Sequence, residues 1–146
     1  MITRVSIRNQ IISALEGLTL FTTVASDATR NIEQEPFTAE ECPALLLTTG
    51  SEELTELISF DEHRQPFTAE IYTTTASTSD QPPEDLFSSI CTAIIADPTW
   101  GGYADGTGSP TTDQQPAGIT ADLLYNGSIT FNVYYTTASG LLTPYS

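Results

Sequence analysis

Apolar residues recur along the chain at two spacings, which predict helices and strands respectively. Between Ser6 and Leu18 they fall at near-3.6-residue intervals, so we predict a helix with Ser6 as its N-cap and Gly17 as its terminator. A second helical pattern covers residues 82–96, with Asp80 as the candidate N-cap.

Period-two alternation and runs of β-branched residues predict the strands. The alternation is clearest at residues 66–75, where Phe67 and Ile71 share one side. Asn126-Gly127 has the residue types of a type I′ turn, which predicts a hairpin between two strands. The predicted strands are residues 20–25, 43–49, 56–62, 66–75, 119–125 and 128–137.

These elements predict one α+β domain, with two helices on one face of a mostly antiparallel sheet of about five strands. A chain of 146 residues fits a single domain. His63-Arg64-Gln65 is interpreted as the turn between two strands, and residues 105–118, rich in glycine and proline, as a long loop. No apolar run reaches the ~20 residues that a transmembrane helix requires.

The charge balance restricts the possible partners. The chain has 19 Asp and Glu against four Arg, no Lys, and a formal net charge of −15. Self-repulsion destabilises such a chain in dilute buffer, and concentrated salt removes that cost because the Debye length falls to about 3 Å at 1 M. We therefore expect a halophilic source, with an ordinary acidic mesophile protein as the alternative. Nucleic-acid binding, which depends on Lys and Arg beside phosphates, is disfavoured.

Few side chains are candidates for catalysis. His63 is the only histidine, and its place beside Asp61 and Arg64 in a predicted turn favours an exposed structural residue over a general base. Cys42 and Cys91 lack CxxC spacing; reduced thiols are the simpler interpretation and a bridge between them is the alternative. The sequence has no nucleophile elbow, phosphate-binding glycine loop or zinc-type spacing, so we predict no enzyme activity, cofactor or metal.

Residues 82–140 form a recognisable unit. A helix is followed by the stop at residues 97–102 (DPTWGG), a polar loop, and a closing strand at residues 129–140 (ITFNVYYTTASG). This order resembles the tail terminator proteins of long-tailed viruses, which are small subunits that form a ring on the end of the tail tube. Residues 1–81 match that family only in layout, and the glycine- and proline-rich loop after the double glycine departs from its pattern.

The resemblance implies a non-enzymatic virion protein of the tail or neck, assembled in the host cytoplasm. With the acidic composition, it implies a tailed virus of a halophilic archaeon. The implied assembly is a homo-hexameric ring that caps the tail-tube protein, ends its polymerisation and joins a head-side connector protein. Genome DNA would pass through without specific binding, and no membrane is involved. Another neck subunit, an adaptor or stopper, is the nearest alternative, and a small hydrolase is the alternative from another class.

Several residues are candidates for structural or interface roles. Trp100, the only tryptophan, is either a core residue under the helix end or an aromatic anchor between subunits. The loop at residues 105–118 and the predicted hairpin at residues 61–66 are expected to contact neighbours or the tube. The candidates are Asp97, Pro98, Trp100, Gly101, Gly102, Tyr103, Asp61, His63 and Arg64.

Overall fold

The computed structural model describes residues 3–74, 83–114, 117–119 and 123–138. Helices α1 (Thr3–Gly17) and α2 (Pro83–Ala96) lie in these ranges, together with a short 3₁₀ helix at Ala39–Glu41. Neither α-helix is long and apolar enough to cross a bilayer. The strands are β1 (Thr23–Ser26), β2 (Ala44–Thr49), β3 (Glu53–Glu56), β4 (Phe60–Thr74), β5 (Gly106–Thr107), β6 (Thr111–Asp113), β7 (Ala117–Gly118) and β8 (Leu123–Ala138).

The strands form one sheet in which β1, β2, β4, β8 and β5 lie side by side in that order. β1 and β2 are parallel, and the other pairs are antiparallel. β3 pairs with β4 beyond the end of β2, and β6 and β7 pair with β8. The α+β class and the mostly antiparallel sheet are therefore confirmed. The sheet has eight strands in the described ranges, so the predicted number of about five is too low.

Both helices pack on one face of the sheet, as predicted, and form the main core with it. Phe67 and Ile71 of β4 are buried on this face, in agreement with the predicted alternation. The helical members of the core are Ile7, Ile11, Leu15, Leu86, Phe87, Ile90 and Ile94.

Part of the opposite face, around Tyr72, is covered by residues 27–43, which Arg30 organises. Its guanidinium donates to both carboxylate oxygens of Glu41, at 2.6 and 3.0 Å, and to the carbonyl oxygens of Glu35 and Pro36. It also lies over the ring of Phe37, 4.3 Å from the centroid. Phe37 is thereby held over a second buried cluster on the sheet, which contains Ala44, Leu46, Tyr72 and Leu123.

The predicted start of α1 is wrong, and its predicted end is confirmed. The helix begins at Thr3, so Ser6 is a buried residue within it and does not cap it. Thr3 lies four residues before Ile7 on the buried face, so packing extends the helix by one turn toward the N-terminus. Gly17 is the last helical residue. Asp80, the candidate N-cap of the second helix, lies outside the described residues.

The hairpin predicted at Asn126-Gly127 is wrong, because β8 continues straight through both residues. Gly127 pairs with Ile71 and Tyr125 pairs with Tyr72, which leaves Asn126 as the extra residue of a β-bulge. Gly127 has φ +126°, and Asn126 is buried, with its Nδ2 donating to Thr73 Oγ1 at 2.6 Å. The conformational freedom that suits a type I′ turn also suits a bulge.

Two further predictions are corrected. Residues 63–65 lie inside β4, and the turn between β3 and β4 lies at residues 57–59, where Leu57 N–H donates to Phe60 O at 2.9 Å. Residues 105–118, predicted as a loop, contain β5, β6 and β7, because the long edge of β8 accepts short strands from this segment.

Candidate functional site

The stop after α2 is a tight turn that begins at Asp97, as predicted. The carboxylate of Asp97 accepts from the N–H of Gly101, with its two oxygens at 3.2 and 3.4 Å. Trp100, Gly101 and Gly102 have φ values of +49°, +72° and +91°. Two glycines make such a run of left-handed residues sterically accessible, which is the physical role of the double glycine.

Trp100 is a core residue, which confirms the first of its two predicted roles. It is 0% exposed, its ring lies 6.1 Å from that of Phe131, and its Nε1–H donates to Thr107 Oγ1 at 2.9 Å. Thr107 in turn donates to the carbonyl of Pro98 at 2.6 Å, so the turn is tied to β5. Among the candidate residues at positions 97–103, Tyr103 has an exposed aromatic side chain, with a relative exposure of 43%.

His63 lies in a buried polar cluster, so its predicted exposure in a turn is wrong. It is 7% exposed and sits on the helix-covered side of β4. Its Nδ1 lies 3.0 Å from Glu52 Oε1, and its Nε2 lies 2.8 Å from Thr137 Oγ1. The imidazole stacks on the ring of Tyr135. At this end of the core the buried positions of β4 hold polar side chains. The alternation of buried and exposed residues therefore continues through residues 63–65, which were predicted to form a turn.

Glu52 connects three parts of the fold at this cluster. Its carboxylate accepts a hydrogen bond from the Tyr135 hydroxyl, contacts His63, and lies 3.9 Å from the guanidinium of Arg4 on α1. Burial raises the pKa of Tyr135, and the bond to Glu52 raises it further, so the hydroxyl stays protonated and donates.

The predicted group Asp61, His63 and Arg64 is divided between the two faces of the sheet. Asp61 and His63 are buried on the helix side. Arg64 points to the other side, where it forms an exposed ion pair with Glu53. That side carries an open cleft of about 290 Å³, lined by polar and aromatic residues that include Glu62 and Tyr134.

The side chains of Thr137, His63 and Glu52 contact one another in that order, as the hydroxyl, base and acid of a hydrolase triad do. Thr137 is 0% exposed, however, so its hydroxyl has no surface at which a substrate carbonyl could approach. The three residues therefore form a buried structural network between β4, β8 and the segment before β3.

Three large apolar residues are exposed within the β3–β4 hairpin. Leu54 and Leu57 are 48% and 40% exposed, and Ile58 is 104% exposed. We call these three residues the hairpin surface. β3 pairs with β4 on one side, and no described strand pairs with it on the other. Sequence reasoning missed this surface because it placed the turn several residues too late; the signal was three apolar residues within a strongly acidic segment.

No described group of three His, Cys, Asp or Glu side chains is arranged to hold a metal ion. Cys42 and Cys91 are free thiols, and burial raises the pKa of each. Cys91, on α2, packs against the main core.

Comparison with known proteins gives no match, either to a protein-family model or to a curated sequence.

Proposed function

We propose that this protein is a non-enzymatic structural subunit, a tail terminator that forms a homo-oligomeric ring on the end of a viral tail tube. The observation that carries the proposal is the hairpin surface. Leu54, Leu57 and Ile58 expose large apolar side chains within one short hairpin. Large apolar side chains that are exposed close together in the chain are candidates for a surface that binds other proteins.

The sequence resemblance supplies the particular assembly. The helix, the DPTWGG turn and the closing strand follow one another in the order typical of tail terminators, and the turn is built around a buried Trp100. The helix, the turn and the closing strand shape the subunit. The hairpin surface and Tyr103 supply its contacts with neighbouring copies or with the tube. In this role the partners are other copies of the chain, the tail-tube protein and a head-side connector, in the virion of a halophilic tailed virus.

The acidic surface fits this role. A formal net charge of −15 repels phosphate, and a ring through which DNA must slide benefits from such a wall. Salt adaptation accounts for the same charge, so the composition is compatible with the proposal and does not distinguish it from other acidic assemblies.

The experiment is light scattering on purified protein in molar NaCl, with and without the tail-tube protein. We expect a discrete oligomer and binding at tube ends. Ile58→Ser should weaken assembly strongly, and Ile95→Ser, which alters an apolar residue 67% exposed on α2, is the matched control. A monomer at high concentration that does not bind tube protein would refute the proposal.

Two other functions remain as second candidates. An adaptor or stopper would form the same kind of ring but bind portal-side proteins in place of the tube. A small hydrolase is favoured only by the Thr137–His63–Glu52 order, and it requires turnover of an ester or amide that is lost in Thr137→Val. We expect no turnover, because Thr137 is buried.

A further inference from the structure

The sheet narrows to three strands at the hairpin end. β2 reaches only as far as the pair Thr49 and Phe67, and β5 pairs with β8 only at Val133 and Tyr134. Beyond these positions β4 is flanked by β3 on one side and the end of β8 on the other. Thr55, Glu62 and Thr136 form one row across this ribbon.

The ribbon has two edges without a strand partner in the described residues. One is the outer edge of β3, and the other is the side of β8 away from β4 at residues 136–138. Unpaired strand edges present N–H and C=O groups that pair readily with another chain. Neither edge contains the lysine or proline that commonly prevents such pairing.

The charges on the two edges differ, and the difference selects the partner. β3 carries Glu53 and Glu56, whereas residues 136–138 of β8 are uncharged. If β3 paired with β3 of another copy, acidic side chains would be brought together, and like charges opposite each other are destabilising. If β3 pairs with the end of β8, no charge opposes Glu53 or Glu56.

We propose that β3 of one copy pairs with the free edge of β8 at residues 136–138 of a second copy, so that the sheet continues from subunit to subunit. This contact is head-to-tail, and each added copy leaves the same two edges available at the ends. A head-to-tail contact forms a ring when its rotation closes. The inference rests on the proposed function and names the strand edges by which the ring assembles. Leu54 of the hairpin surface lies in the pairing strand itself, and Leu57 and Ile58 follow it directly.

Cysteine cross-linking tests the pairing directly. Cys42→Ser and Cys91→Ser remove the native thiols, and Thr55→Cys and Thr136→Cys are added singly and together. Within one copy these two positions are separated by β4, about 9.5 Å at the usual strand spacing. That distance exceeds the roughly 7 Å that a disulfide spans, so a bridge must join two copies.

On oxidation in molar NaCl we expect the double variant to give dimers, trimers and larger species on a non-reducing gel, and each single variant to stay monomeric. A dimer from Thr55→Cys alone would show β3–β3 pairing and overturn the inference. A dimer from Thr136→Cys alone, or an intact oligomer that the double variant does not cross-link, would also overturn it. In all three cases the ring itself would stand. A monomer by light scattering overturns both proposals.

A second pair of variants covers the case in which the cysteine proteins do not fold. Ala138→Glu places a negative charge on this edge of β8, next to β3 of the neighbouring copy, and Ala138→Lys places a positive one. Within its own copy Ala138 pairs with the uncharged Phe60, so neither substitution acts on a charge directly opposite. We expect Ala138→Glu to weaken assembly at least tenfold more than Ala138→Lys at low salt, with the difference shrinking in molar NaCl. Equal effects of the two substitutions would contradict the pairing.

Discussion

His63 and Tyr135 face each other across β4 and β8, and their rings stack with centroids 4.4 Å apart and planes 3° from parallel. Glu52 accepts from the Tyr135 hydroxyl and lies 3.0 Å from His63 Nδ1. One carboxylate thus fixes the segment before β3 to both long strands. The hairpin that carries the exposed apolar residues is therefore attached to the core at its base.

Replacing His63 by Ala should lower the free energy of unfolding by about 2–4 kcal/mol, because the stack is lost and the buried Thr137 hydroxyl loses its partner. Denaturant titration measures the change. Arg64→Ala is the matched control one residue along, where an exposed ion pair contributes about 0–1 kcal/mol. Equal effects of the two substitutions would contradict the structural role given to His63.

Gly127→Ala should destabilise the fold by more than about 3 kcal/mol. A Cβ at this position would lie 2.1 Å from the carbonyl oxygen of Asp113, and φ is +126°. The control is Gly118→Ala, where a Cβ meets nothing within 4 Å, so we expect a change within about 0.5 kcal/mol. Thermal unfolding followed by circular dichroism checks both, and a Gly127→Ala protein as stable as the parent would show that β8 has no bulge there.

The Arg30–Glu41 pair predicts a specific acid sensitivity. The Arg30 guanidinium holds the pKa of Glu41 at about 2, below its ordinary value of 4.5. A carboxyl group whose pKa is lower in the folded than in the unfolded state stabilises the fold at pH values above its unfolded pKa. That stabilisation is lost as the pH falls through the folded pKa. The stability difference between the parent and Glu41→Gln should therefore be constant from pH 7 to about 5 and shrink toward pH 2.

We expect that difference to be about 1–2 kcal/mol at neutral pH, since Glu41 is partly exposed and solvent screens the pair. Glu40→Gln removes the same charge from the same 3₁₀ helix and is the control. If the stabilities of the two variants depended on pH identically, the ion pair between Arg30 and Glu41 would not be what stabilises residues 27–43.

Salt should stabilise the protein. With 19 acidic residues against four Arg, the folded chain repels itself, and three of those Arg already pair with Glu52, Glu41 and Glu53. We expect the unfolding temperature to rise steadily from dilute buffer to molar NaCl, as measured by scanning calorimetry. A flat or falling dependence would contradict a halophilic source.

Sequence patterns predicted the elements whose signals are local. The apolar face of α2 and its end at Asp97-Pro98 follow from residues close together in the chain and are found as predicted. For Trp100 the sequence left two roles open, and the structure shows the core role. The two helices on one face and the alternation along β4 also follow from periodicity.

The errors come from residues whose conformational preference fits two structures. Asn126-Gly127 fits a type I′ turn and a bulge equally well, and only the pairing of β8 with β4 decides between them. His63 is polar and flanked by charges, which are features of a turn residue. Its partners Glu52 and Thr137 are distant in sequence, so a local pattern does not predict its burial. The candidate interface depends on where β3 turns into β4, and local residue types misplaced that turn.

We propose that this chain is a subunit of a ring on a tail tube. The decisive experiment is electron microscopy of tail-tube protein assembled in molar NaCl with and without this protein. We predict tubes of limited length with a ring of this protein at one end. Tubes of unrestricted length whose ends carry no added density, with the protein left as free monomer, would contradict the claim.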